Sequence, residues 1–166
     1  DQQVKLVKPE LPVLLDKLVK LFIAWAFLFQ VVLIVHFALR KRFFESYTMK
    51  FGWIVYALCI PATVISIFLL RGGKSWSFWL GGFLFLLYSG YGYWVDFIKG
   101  INWRNPLRKD IMFPYVTLYL ATIMFYWWPL VLLSKPLWFA YAVLFVIASV
   151  LNITSHYFVC SIGIHS

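Results

Sequence analysis

Long stretches without Asp, Glu, Lys or Arg are the feature that most constrains this chain. Four such stretches comprise 19, 20, 21 and 24 residues, and a fifth begins after Lys135 and runs to the end of the sequence. A helix of about 20 apolar residues crosses the hydrocarbon core of a bilayer. The sequence therefore predicts five transmembrane helices, at about 21–39, 51–70, 75–95, 111–134 and 137–158.

The composition agrees with a membrane environment and excludes a water-soluble domain. Apolar residues make up 63% of the chain and charged residues only 13%, whereas about a quarter of a typical soluble domain is charged. A transmembrane β-barrel is also excluded, because the runs are continuously apolar and lack the alternation of a strand with two different faces. Since backbone polar groups in lipid must pair within the protein, helices are the remaining solution.

The short connections between the runs predict the fold class, which is an all-α integral membrane protein. Sequential helices joined by short loops pack as antiparallel neighbours, so we expect a five-transmembrane-helix antiparallel bundle in a single domain over 1–166. A short amphipathic interfacial segment at about 10–20 precedes the bundle, because leucines recur there at helical spacing. The alternative is a first helix that is long enough to extend beyond the membrane. In the second span, Pro61 predicts a kink, because it leaves the carbonyl of Ala57 without an N–H donor.

Basic residues are divided almost evenly between the two predicted sides of the membrane. Seven lie on the side of the N-terminus and eight on the other, so the positive-inside rule does not decide the orientation by number. The segments 40–50 and 96–110 hold the denser clusters, which favours that side as cytoplasmic. We call it the basic-loop face. The net charge of +9 indicates attraction to anionic lipid headgroups and not to nucleic acid, because no basic stripe is separate from the membrane flanks.

Histidine and arginine side chains gather near the basic-loop face. His36 lies near the end of the first predicted span and His156 near the end of the fifth. Two neutral imidazoles from facing helices are a suitable axial pair for a haem iron, and arginines can pair with the propionates. We therefore hypothesise that His36 and His156 hold haem b or another tetrapyrrole, with Arg104 and Arg108 at its carboxylates. The alternative is that the histidines simply hydrogen-bond to water or to backbone carbonyls.

The third predicted span is rich in glycine and in aromatic residues. Gly82 and Ser89 lie on one stripe of this helix, and small residues at such positions are typical of close helix packing. The alternative is a flat-walled pocket for a lipid tail, a quinone or a porphyrin. Its walls would be aromatic side chains of that span, namely Tyr88, Tyr91, Tyr93 and Trp94.

The sequence lacks the residues of the familiar enzyme centres. It contains no HExxH, GxSxG, paired carboxylates or phosphate loop, and the middle of each predicted span lacks the charges that ion-coupled transport requires. We therefore expect a small non-catalytic subunit or accessory protein of a larger membrane complex, which contacts lipid and other membrane subunits and holds a hydrophobic or tetrapyrrole cofactor. The alternative is a stand-alone binder or carrier of a hydrophobic small molecule. A lipid-modifying enzyme that uses Asp96 and His156 as acid and base is less favoured.

Overall fold

Helices account for almost all of the chain that the structure describes. The structure is a computed structural model that describes residues 10–101 and 108–162, apart from the side chains at 10–12, 14, 44–46, 48–49 and 156–162. Within these ranges there is no strand, so the predicted all-α fold class is confirmed. The elements are α1 (Glu10–Phe51), α2 (Trp53–Ala57), α3 (Cys59–Arg71), α4 (Trp76–Tyr93), a π-helical turn (Trp94–Ile98), α5 (Lys109–Leu133) and α6 (Lys135–Ile162).

Four helical segments of the described chain are long and apolar enough to cross a membrane. They are Leu15–Phe43, Trp53–Arg71, Lys109–Leu133 and Lys135–Ser155. The helix α4, which occupies the third predicted span, is not among them. It has 18 residues and includes serines, glycines and tyrosines that lower its hydropathy.

A kink divides α1 inside the predicted connection at 40–50. Two helical stretches meet at Phe43, whose φ of −131° and ψ of 41° are non-helical, and the apolar helix that could cross a membrane ends there. The arginines, lysines and glutamate of 40–50 are good helix formers, and no glycine or proline interrupts them. The connection is therefore largely helical, and the kink at Phe43 separates the first apolar helix from the rest of it.

The predicted amphipathic segment at 10–20 is the first part of the same helix. No break separates it from the following apolar run, and an exposed ion pair joins Asp16 and Lys20 at 2.7 Å, one turn apart. On its other side it contacts the end of α3, where a Cβ at Gly72 would lie 3.1 Å from the Leu15 side chain.

Pro61 interrupts the second apolar run, as predicted. Helix α2 ends at Ala57 and α3 begins at Cys59, with Leu58 between them. Because proline has no N–H, it cannot donate to the carbonyl four residues earlier, and its ring crowds that carbonyl. Trp53–Arg71 is thus one helical unit with a break after its first five residues.

Small residues allow α4 to lie close to the helices on both of its sides. A Cβ at Gly82 would lie 2.6 Å from the Ala62 carbonyl oxygen of α3, and a Cβ at Gly81 would lie 3.2 Å from the Phe125 carbonyl oxygen of α5. This geometry agrees with the packing interpretation of the glycine-rich helix. The remaining interior is filled by aromatic rings, among which Phe29 contacts both Phe85 and Tyr126.

Contacts between the helices show which ends lie together. At one end, Phe22 of α1 contacts Phe78 near the beginning of α4 and Tyr126 in the second half of α5. At the other end, Arg40 of α1 reaches the last turns of α6. Helix α1 packs mainly against α6, and α4 packs between α3 and α5.

Candidate functional site

A hydrogen-bonded cluster of three tyrosines and one carboxylate lies where α4 ends. The Tyr56 hydroxyl donates to an Asp96 carboxylate oxygen at 2.6 Å and lies 3.1 Å from the Tyr115 hydroxyl. The Tyr115 hydroxyl is in turn 2.9 Å from that of Tyr88. We call these four residues the Asp96 cluster. It connects α2, α4, α5 and the π-helical turn.

Local features of the sequence position the members of this cluster. Asp96 lies in the π-helical turn, a wider coil that changes the direction of its side chain relative to the regular α4. Gly92, one turn earlier, provides the space for the Tyr56 ring, because a Cβ there would lie 2.6 Å from that ring. The Tyr88 and Tyr115 rings pack edge to face at 5.1 Å between centroids. The cluster is thus fixed by packing as well as by hydrogen bonds.

The chemistry of the Asp96 cluster is that of hydrogen bonding. A carboxylate that accepts from a phenol is well stabilised in a low-dielectric interior, and linked hydroxyls strengthen one another. Its described members are three phenols and one carboxylate, and the Tyr56 phenol donates to that carboxylate. Among the described residues, no group of three His, Cys, Asp or Glu side chains comes together to hold a metal ion.

A second polar contact, which the sequence reasoning missed, joins the ends of α1 and α6. The guanidinium of Arg40 donates to the Asn152 side-chain oxygen at 2.5 Å and to the Ser155 hydroxyl at 2.6 Å. Arg40 is 8% exposed, and its guanidinium carbon lies 4.9 Å from the centre of the Phe37 ring. The expectation that Arg40 lies in a loop is wrong. Its position one turn after His36, on the buried face of α1, was the signal that could have revealed this contact.

His36 is buried at the same end of α1. Its Nδ1 atom lies 3.2 Å from the Tyr47 hydroxyl, and its ring contacts the rings of Phe37 and Tyr47. Burial raises the pKa of Tyr47 above its usual value, so the phenol stays neutral. The non-helical residue Phe43 lies between the two partners.

The other residues of the haem hypothesis are only partly described. His156 belongs to α6 and follows Ser155 directly, but its side chain lies outside the described residues, as does all of Arg104. Arg108 is exposed and donates to Asp110 at 2.7 Å, a hydrogen bond that raises the pKa of the Arg108 guanidinium. The described part of the chain thus gives Arg108 an aspartate partner and His36 a tyrosine partner.

The four aromatic residues of the predicted pocket lie in different surroundings. Tyr88 is buried in the Asp96 cluster, and the hydroxyl of the half-buried Tyr91 lies 3.5 Å from the Ile111 carbonyl oxygen. The rings of Tyr91 and Trp94 are in contact at 6.3 Å.

Tyr93 and Trp94 are exposed instead. The Tyr93 ring stacks on Phe97 at 5.2 Å, and the Lys99 ammonium lies 5.6 Å from the Trp94 ring. The structure therefore brings Tyr91 and Trp94 together but separates Tyr88 from the two exposed rings.

Comparisons of the chain with protein-family models, with curated proteins and with solved structures find no match.

Proposed function

We propose that the chain is a five-helix integral membrane protein whose helices alternate in direction across the bilayer. Four helices support this by their length and apolar composition. The fifth is α4 with its π-helical turn, 18 and five residues, which together extend roughly 33 Å at about 1.5 Å per residue. Because α4 packs between α3 and α5, both of its serines and three of its four glycines face protein and not lipid, namely Ser77, Ser89, Gly81, Gly82 and Gly92. The proposed spans are those predicted from the sequence, with segments 40–50 and 96–110 on the cytoplasmic side.

We further propose that this protein is a small accessory subunit of a larger membrane complex. The observation that carries this is the outward face of α6, where apolar side chains more than half exposed follow one another at intervals of four and three residues. They are Phe139, Val143, Val146, Val150 and Ile153. This spacing keeps the side chains on one seam, and β-branched residues on such a seam pack into the holes of a facing helix.

The partner that fits this seam is an apolar transmembrane helix of another subunit. Helix α6 contacts α1 and α5 on its inner side. Of its most apolar stretch of 18 residues, only 11% is buried within the chain. Aliphatic side chains without polar groups offer a partner shape and dispersion contacts.

The experiment is solubilisation of native membranes in a mild detergent, followed by size-exclusion chromatography of the tagged protein. We expect the wild-type chain to elute with partner subunits and the variants Val146→Phe and Val150→Phe to elute as a single chain. The matched control is Val64→Phe on the exposed face of α3, which should elute with the partners. A wild-type protein that elutes as a monodisperse single chain would instead favour the stand-alone binder or carrier of a hydrophobic small molecule.

The geometry of His36 favours a second candidate function, which is the binding of haem b or another tetrapyrrole. A hydroxyl at Nδ1 fixes the orientation of an imidazole. Histidines that bind a metal through one ring nitrogen are oriented in the same way, by a hydrogen bond at the other nitrogen. An iron would then bind to Nε2. In this proposal His36 and His156 would hold the iron together, Arg104 and Arg108 would pair with the propionates, and Tyr88, Tyr91, Tyr93 and Trp94 would contact the hydrophobic ligand.

An absorption spectrum of the protein purified from a haem-sufficient host tests this second proposal. We expect a Soret band that is lost in His36→Ala and in His156→Ala, and that changes shape in Tyr47→Phe. A wild-type protein without a Soret band excludes the haem.

A further inference from the structure

Gln30 is a polar side chain in the middle of the first apolar run of the sequence. It is fully buried, and among the described residues neither its amide nitrogen nor its amide oxygen has a hydrogen-bond partner. The same is true of the hydroxyl oxygens of Tyr119 and Tyr141. Buried polar groups in folded proteins almost always have a partner. Three such side chains in one interior therefore require an explanation.

The three side chains belong to α1, α5 and α6 and lie in one region of the interior. The Tyr141 hydroxyl approaches the Gln30 amide without meeting hydrogen-bond geometry, and it is also within electrostatic reach of the Tyr119 hydroxyl. Aromatic rings enclose the region, with Phe27 against Tyr141 at 5.9 Å and Tyr88 against Tyr119 at 5.7 Å. Tyr141 thus lies beside Gln30, and Tyr119 lies in the same aromatic interior.

We propose that Gln30, Tyr119 and Tyr141 form an internal binding site for an uncharged hydroxyl group. The occupant is a water molecule or the hydroxyl of a mainly apolar ligand. The amide offers one fixed donor and one fixed acceptor, and each phenol both donates and accepts. A water molecule, with two donors and two lone pairs, can pair with all four of these atoms, and a ligand hydroxyl, with one donor and two lone pairs, can pair with three. A carbonyl, such as that of a quinone, cannot donate to the amide oxygen, and a charged group would lose its hydration among neutral side chains.

The first experiment detects the occupant directly in the chain of 166 residues. The chain contains three glutamines, Gln2, Gln3 and Gln30, so the double variant Gln2→Asn, Gln3→Asn leaves one side-chain amide for ¹⁵N-glutamine labelling. In detergent micelles we expect a cross-relaxation signal between this amide and water protons if water is the occupant. If the occupant is a ligand hydroxyl, native mass spectrometry of the protein from its own membranes should show an added mass that Gln30→Met removes.

The second experiment measures Tm, because Gln30→Met should change Tm in opposite directions when the site is occupied and when it is empty. Methionine is close to glutamine in shape and has no amide. If a hydroxyl is bound, Gln30→Met removes two of its partners, and we expect Tm to fall by about 4 °C. Tyr119→Phe should cost less in the Gln30→Met background than in the wild type, since both residues serve the same occupant.

Three results would overturn the proposal. The first is the absence of both the water signal and the added mass. The second is a Tm that rises or stays unchanged in Gln30→Met, as expected when an unpaired amide is removed. The third is full additivity of Gln30→Met with Tyr119→Phe combined with strong coupling to Tyr141→Phe, which would show a direct bond between Gln30 and Tyr141. If Gln30→Met does not fold, the labelling experiment on the glutamine-depleted protein still decides.

Discussion

The buried guanidinium of Arg40 joins the ends of α1 and α6. Its hydrogen bonds to α6 go to the Asn152 side-chain oxygen and the Ser155 hydroxyl, and the face of Phe37 lies beside it. A planar group with five donors can serve several acceptors at once, which a lysine ammonium cannot do in the same geometry. The contact therefore depends on arginine in particular, and not merely on a positive charge.

Replacing Arg40 by methionine should destabilise the protein. The substitution keeps an apolar stem but leaves the α6 acceptors without this donor, and hydrogen bonds to charged groups contribute about 1.5 to 3 kcal/mol. We expect the free energy of unfolding in detergent to fall by about 2 kcal/mol, and Arg40→Lys to restore only part of it.

Arg42 provides the matched control for this substitution. It is exposed, and its described contact is with the neighbouring Phe43 ring. Arg42→Met should change the free energy of unfolding by less than about 0.5 kcal/mol. Equal losses at the two positions would contradict a specific role for Arg40.

Removing the Tyr56 hydroxyl should weaken the Asp96 cluster. Tyr56→Phe keeps the ring that packs on Gly92 but removes the donor to the Asp96 carboxylate. We expect a loss of about 1.5 to 3 kcal/mol in the free energy of unfolding, measured by denaturant titration in detergent.

A double-mutant cycle separates the hydrogen bond from other effects of this change. In an Asp96→Asn background the cost of Tyr56→Phe should be smaller, because the acceptor no longer carries charge. The exposed Tyr93 is the control, and Tyr93→Phe should be nearly neutral. A cost of Tyr56→Phe that is the same in both backgrounds would contradict the assigned hydrogen bond.

Residue types and spacing predict only part of these contacts. Asp96 and His36 could be assigned to the basic-loop face, because their positions in the apolar runs fix their depth. The partners Tyr56 and Tyr115 could not be predicted, because a tyrosine within an apolar run is equally compatible with a lipid-facing, an interfacial or a buried position. Gln30 likewise could not be predicted to be a buried polar residue of interest, since a single amide hardly changes the mean hydropathy of the apolar run that contains it.

At the scale of helices, two glycines of α4 are predicted to respond in opposite ways to the same change. A Cβ at Gly82 would collide with the Ala62 carbonyl, whereas at Gly90 nothing lies within 4 Å. Gly82→Ala should cost about 1 to 3 kcal/mol by forcing α3 and α4 apart. Gly90→Ala should stabilise the helix by about 0.5 to 1 kcal/mol, because alanine loses less backbone entropy than glycine. Thermal unfolding of both variants measures the difference, and a stabilised Gly82→Ala would contradict the close packing.

Helices were predictable where length and hydropathy alone determine them. The break near Pro61 also followed from the sequence, because a missing N–H acts locally. The kink at Phe43 and the π-helical turn at Trp94–Ile98 did not. Both go with contacts between residues that are distant along the chain: Tyr47 contacts His36 across the Phe43 kink, and Asp96 meets Tyr56 from another helix.

For the whole molecule, the decisive question is whether α4 crosses the bilayer. If it does, Arg71 before α4 and Lys99 after it lie on opposite sides, and both are exposed. If it does not, they lie on the same side. The variant Arg71→Cys, Lys99→Cys distinguishes the two arrangements in a background where Cys59 and Cys160 are replaced by alanine.

This variant can be tested in sealed proteoliposomes with a membrane-impermeant maleimide and intact-mass spectrometry, even when the protein inserts in both orientations. With five spans, every molecule exposes one cysteine to the outside, so we expect a single population that carries one label. With four spans, molecules carry either two labels or none. The control Arg71→Cys, Lys74→Cys places both thiols before α4, so it should give two labels or none in either arrangement. A two-or-none pattern for the first variant would contradict the fifth span.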